Sequence, residues 1–114
     1  MSTPALLILP QGLTVTGVTT WALRLGDALA RAGRPVGLIV HGSAPGHREM
    51  PASIPTGVRL FRTDDLPEIG STRADLTPFI PFYRDAIDRL SPDRPVALIP
   101  TRHGDCFGVC AALT

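Results

Sequence analysis

The chain alternates unbroken apolar runs with segments of helical periodicity. Ala5-Leu6-Leu7-Ile8-Leu9 is a succession of apolar residues bounded by Pro4 and Pro10. A short run without polar alternation predicts a strand covered on both faces, as in a parallel sheet. After a loop containing Gly12 and Gly17, the residues Val18, Trp21, Ala22, Leu25, Ala28, Leu29 and Ala32 recur on one arc, with Thr20, Arg24, Asp27 and Arg31 opposite. This spacing predicts an amphipathic helix that Gly33 ends as a C-cap. Ala22 and Gly26 fall at the edge of the apolar arc, where small side chains let a helix lie close on a sheet. Val36-Gly37-Leu38-Ile39-Val40 predicts a second two-sided strand. Strand, helix and strand then form a right-handed parallel crossover.

Residues 41–57 predict a loop rich in Gly, Pro and Ser, leading to a third strand over Val58 to Phe61. A polar loop runs from Arg62 to Thr77. A second helix carries Phe79, Phe82, Tyr83, Ala86, Ile87 and Leu90 on one face, with Thr77 as N-cap and Pro78 in the first turn. Pro81 would remove a hydrogen bond deeper in a helix, so the regular helix is expected to start there. Val96 to Ile99 predicts a fourth strand. Asp105 is placed to cap a third helix through Cys106, Phe107, Val109, Cys110, Ala111 and Leu113. The order β-α-β-β-α-β-α predicts a Rossmann-like three-layer α/β sandwich with a mostly parallel sheet, as one domain over residues 1–114. Ligands of such sheets bind beyond the carboxyl ends of the strands. Here that edge comprises Gln11 to Gly17, His41 to Gly46, Arg62 to Asp65 and Thr101 to Asp105.

Composition narrows the chemistry. The 114 residues are 44% hydrophobic and 18% charged with a net charge of +1, which marks a globular chain without the charge bias that nucleic acid or anionic membrane would require. No apolar run approaches the roughly 20 residues of a spanning helix, and no basic segment precedes a signal-like core. A cytoplasmic protein is expected. All eleven basic residues are arginine. Schiff-base chemistry, a pyridoxal-phosphate anchor and a Walker lysine all need an amine, so none is available. Cys106 and Cys110 are four apart and match neither zinc-site pairs nor the redox C-x-x-C spacing; they read as reduced thiols on one helix face.

The loop after the first strand carries the clearest candidate chemistry. Gly12 and Gly17 give G-x-x-x-x-G, but Val18 stands where a Walker loop has lysine, and the G-x-G-x-x-G dinucleotide pattern is absent. The second strand ends in His41-Gly42 rather than the acid that would hold a ribose. What remains is a turn that delivers the backbone N–H groups of Gly17, Val18 and Thr19 at a helix N-terminus, an arrangement that attracts phosphate or carboxylate. The alternative is that Gly17 serves only a tight turn. His103, flanked by Arg102 and Asp105, is either a proton-exchanging group beside an anion-holding arginine or a solvated loop histidine. His41 and His47 are expected at the surface. The acids Asp64, Asp65, Glu68 and Asp75 lack ligand spacing, so no metal is expected, and no G-x-S-x-G elbow is present.

Two stretches resemble a family. Leu7-Ile8-Leu9-Pro10 followed by the sequence from Thr16-Gly17-Val18 to Gly33-Arg34-Pro35-Val36 is similar to the opening of GT-B fold glycosyltransferases of the retaining, glycogen-synthase-like branch. The region from Arg84 through Pro92-Asp93 to Ile99 and His103 resembles that branch's helix, Pro-Asp, buried strand and histidine. Thr16 stands where the family has the first glycine of a pair. The resemblance implies an N-terminal, acceptor-side part of an enzyme that passes sugar from a nucleotide-sugar donor to an acceptor, with no bound metal and no further cofactor. It implies that Gly17 meets the donor diphosphate and that His103 is catalytic beside acceptor and donor sugar; Arg102 and Asp105, as neighbours of His103, are expected to bind substrate. It also implies a missing C-terminal domain, without which the chain is inactive. The competing expectation is a stand-alone anion- or nucleotide-binding α/β module. The fourth strand is expected at a free sheet edge open to pairing with a second copy.

Overall fold

A computed structural model describes residues 3–10, 12–13, 17–42, 54–66, 77–93, 95–101 and 113. The elements run β1 (Ala5–Leu9), α1 (Gly17–Arg31), β2 (Val36–His41), β3 (Val58–Thr63), α2 (Phe79–Leu90) and β4 (Ala97–Pro100). The four strands form one sheet in the order β3-β2-β1-β4, and every neighbouring pair is parallel. The predicted third helix lies outside the described residues except for Leu113, which packs on the α2 side of the sheet. No helix among the described residues is long and apolar enough to cross a membrane.

The unbroken apolar runs become the two central strands because both of their faces are covered. Leu6 and Ile8 of β1 and Ile39 of β2 point toward α2, where Phe79, Tyr83 and Ala86 meet them. Leu7, Leu9, Val36, Leu38 and Val40 point the other way, toward Ala22 of α1. In the register Leu7 lies beside Leu38 and Ile8 beside Ile39, so each face of the sheet receives matching residues from both strands. The edge strands β3 and β4 are only half-buried. Ala97 N–H donates to Pro4 O at 2.9 Å. By the two-residue strand period, Pro100 turns its ring nitrogen away from β1, where a missing donor breaks no pairing.

Helix α1 is present over the expected residues but rotated. Its buried residues are Thr19, Ala22 and Gly26, while Trp21, Ala28 and Ala32 of the predicted face are exposed. The buried face is displaced by roughly one residue step, about 100° around the axis. Ala22, Gly26 and Ala30 recur every fourth residue and form the ridge that meets the sheet. A Cβ built at Gly26 would come within 3.3 Å of Val58 Cγ2 and 3.6 Å of Leu7 Cδ1, and one at Gly57 within 2.7 Å of Ala30 Cβ. Closeness of approach therefore selected the small ridge over the bulkier stripe containing Trp21.

The helix ends as predicted. Gly33 has φ +84°, Gly33 N–H donates to Ala30 O at 3.0 Å and Arg34 N–H to Leu29 O at 3.1 Å. These two bonds form a Schellman cap. An L side chain in this left-handed conformation costs roughly 1–2 kcal/mol. Gly33→Ala should therefore lower the urea midpoint by an amount corresponding to about 1 kcal/mol, although a Cβ there would touch no atom of the described residues within 4 Å.

The start of α2 differs from expectation. Pro78 is the N-cap and makes no side-chain cap bond, and the helix begins at Phe79 rather than at Pro81. Pro81 is the third helical residue, and the first four helical N–H groups have no intrahelical partner. Its missing donor therefore breaks nothing, and two further residues join the helix.

Candidate functional site

The strand order places a reversal at β1, whose neighbours β2 and β4 are reached by connections leaving in opposite directions. A crevice at such a point, beyond the carboxyl ends of the strands, is the usual ligand position of an open parallel sheet. Three described segments frame it. The chain leaves β1 through Pro10, passes Gly12 at φ +76° and the buried Leu13, and re-enters regular structure at Gly17, the first residue of α1. β2 ends in His41, and Gly42 follows at φ +68°. Beyond β4, Thr101 Oγ1 donates to Ile8 O at 2.6 Å, tying the loop after β4 to the end of β1.

At the N-terminus of α1, Gly17 is exposed, Val18 is half-buried and Thr19 is buried at 1% exposure. The first turn contains no acidic side chain, so the positive end of the helix dipole is not offset locally. A Cβ at Gly17 would meet no atom of the described residues within 4 Å, so the backbone there is not crowded from the side. Backbone N–H groups at a helix N-terminus beyond a strand end can receive an anionic oxygen without a cationic side chain.

The sequence-predicted His103, Arg102 and Asp105 lie outside the described residues, as do His47, Glu68, Asp75 and both cysteines. Thr101, the residue before Arg102, stands beside the end of β1, within the frame of the crevice. On the far side, Asp64 is almost fully exposed and only 3.8 Å from Arg62, and Asp65 N–H donates to Thr63 Oγ1 at 3.1 Å. These groups close the β3 end of the sheet with solvated polar contacts. No group of three His, Cys, Asp or Glu side chains among the described residues is arranged to hold a metal ion.

His41 corrects an expectation. It is not a surface loop residue but the last residue of β2, 1% exposed. Its Nε2 lies 2.7 Å from Tyr83 Oη, and its ring lies 5.2 Å from that of Phe79. Tyr83 is itself fully buried. The pair thus joins the carboxyl end of β2 to the middle of α2 inside the core, and a buried polar pair of this kind holds its partners in one geometry when both are satisfied. Two signals in the sequence pointed to it. Gly37, Ile39 and His41 alternate onto the α2 side of β2, and Phe79 and Tyr83 are one helical turn apart. Loop-like glycines after His41 outweighed them.

No family model, no curated protein and no solved structure matches this chain.

Proposed function

We propose that this chain is the acceptor-side, N-terminal part of a glycosyltransferase that uses a nucleotide-sugar donor. The observation carrying the reading is the start of α1: an exposed Gly17 opens a helix beyond the central strand, with Val18 and Thr19 following it and no acid in the first turn. The family resemblance of the sequence around Gly17 and of the stretch from Arg84 to His103 supplies the choice of ligand. The parallel sheet with layers on both faces supports it at the level of fold alone.

In this reading the N–H groups at the head of α1 receive diphosphate oxygens of the donor. His103, with Arg102 and Asp105, follows Thr101 in the sequence and is assigned to the transferred sugar and its acceptor. The leaving diphosphate needs further neutralisation, which in the family comes from a second domain with a pair of glutamates and basic residues. This chain contains only Glu49 and Glu68, neither in a matching context. Turnover is therefore expected only when a donor-side domain is supplied.

Isotope-labelled protein titrated with UDP-glucose and ADP-glucose tests the reading. The amide resonances of Gly17, Val18 and Thr19 should shift saturably with at least one of them, and much less with the free sugar. Amides that stay still at about 5 mM donor, weaker than any affinity near 1 mM would allow, sink it. Equal shifts with inorganic phosphate replace it with the stand-alone anion-binding module.

A further inference from the structure

The rotation of α1 leaves a second apolar face outward. Trp21 is 50% exposed, although a helix turned by one residue step would have buried it. Beside it the first two turns of α1 line a groove of about 400 Å³, bounded by Gly17, Thr20, Trp21, Arg24 and Leu25. That volume falls within the range of small-molecule sites, roughly 300–1,000 Å³.

The groove has a defined charge. Arg31 and Arg89, on the exposed faces of α1 and α2, each pair with the aspartate four residues before them, Asp27 and Asp85, at 3.0 and 3.1 Å. Arg24 has Thr20 at the corresponding position and Ala28 four residues after it. Among the described residues no carboxylate lies within ion-pair distance of it. An indole and a guanidinium that no described carboxylate pairs with therefore share one surface three residues apart, with Cβ atoms about 5–6 Å from each other.

We infer that this groove binds an anionic sugar, with the ring against Trp21 and its phosphate or carboxylate on Arg24. The inference rests on the glycosyltransferase reading for the choice of a sugar; the negative charge follows from Arg24 alone. The indole offers a flat apolar plate to the C–H face of a pyranose. A guanidinium offers paired donors to phosphate or carboxylate oxygens. Because the groove is open along one side, the outer face of its occupant stays in water, which suits a ring carrying hydroxyls better than a nucleobase. Gly17 belongs both to the rim of the groove and to the head of α1. An anionic sugar seated here lies next to the proposed donor phosphates, as an acceptor must.

Trp21 is the chain's single tryptophan, so its fluorescence reports on this groove. Titration with glucose 1-phosphate and with glucuronate separates the two sources of negative charge. At least one should quench or blue-shift the emission with half-saturation near or below about 1 mM. Arg24→Gln, an exposed change that leaves far-UV circular dichroism intact, should raise that half-saturation at least tenfold. Neutral glucose should bind at least tenfold more weakly than the better anionic sugar. Silence with both anionic sugars, an equal response to inorganic phosphate, tighter binding of uridine monophosphate, or indifference to Arg24→Gln each overturns the inference. The outcome separates from that of the donor titration. Shifted amides at Gly17 to Thr19 with a silent Trp21 remove the groove site and leave the transferase reading. A responding Trp21 with unmoved amides removes the transferase reading and leaves an anionic-sugar site.

Discussion

Replacing Tyr83 with alanine is expected to lower the free energy of unfolding by about 3–5 kcal/mol, the range for deleting a buried aromatic side chain. Domains of ordinary size are stable by about 5–15 kcal/mol, so this single change removes a large fraction of the total. Tyr83 is fully buried among Leu6, Ile8, Ile39 and Phe79, and it holds His41 Nε2 at 2.7 Å. Tyr83→Phe separates the two contributions. It keeps the ring and removes the hydroxyl, leaving the buried imidazole without that partner, at a cost of about 1–3 kcal/mol. Urea denaturation with an unchanged slope measures both. If Tyr83→Phe were neutral, the His41–Tyr83 contact would have no energetic weight, and the coupling of the β2 end to α2 would rest on packing alone.

Gly37→Ala should destabilise by about 1–3 kcal/mol, against the usual direction for glycine in a strand. Removing a glycine ordinarily gains about 0.4–1 kcal/mol through the unfolded chain. Here the added Cβ would lie 2.9 Å from Leu6 Cδ1, 2.9 Å from Phe61 Cε2 and 3.3 Å from Leu90 Cδ2. Any one of these side chains could turn aside. The three come from β1, β3 and α2 and converge on one point, so relief for one presses on another, and overpacking outweighs the entropic gain. Gly37→Val should cost more than Gly37→Ala. Combining Gly37→Ala with Leu6→Val should cost less than the two changes summed, because both act on one shared volume. An additive pair, or a stable Gly37→Ala, would show that the convergence has slack.

The same residue illustrates what a sequence conceals. Gly37 interrupts an apolar run without changing its reading as a two-sided strand, and the strand is there. Nothing in the run tells that Arg59, its register neighbour on β3, lies with its guanidinium 5.2 Å from the Phe61 ring centroid and donates to Arg89 O at 2.6 Å. The Arg59–Arg89 contact joins residues thirty positions apart, and no local periodicity encodes it. At the candidate site the division is similar. The glycine turn and the head of α1 were legible as a loop between a buried run and a helical pattern. His41 was not, because its assignment depended on whether β2 continued for one more residue, which its pairing with Thr63 of β3 decides.

The sequence by itself determined the elements and their kind. Continuous apolar runs of five residues bounded by proline and glycine read as two-sided strands, because they are too short for a helix and a strand covered on both faces buries every residue of the run. The two periodic segments within the described residues are helices, and Gly33 stops the first of them because glycine takes the left-handed conformation without the steric cost other residues meet. Only the tertiary structure decided which face of α1 meets the sheet. Hydrophobic periodicity counts Trp21 as core, whereas the sheet admits the ridge of Ala22, Gly26 and Ala30 because a helix gains more contact by lying close than by burying one large ring at a distance. That choice turns Trp21 outward beside the exposed Arg24 and forms the groove beside the proposed donor site.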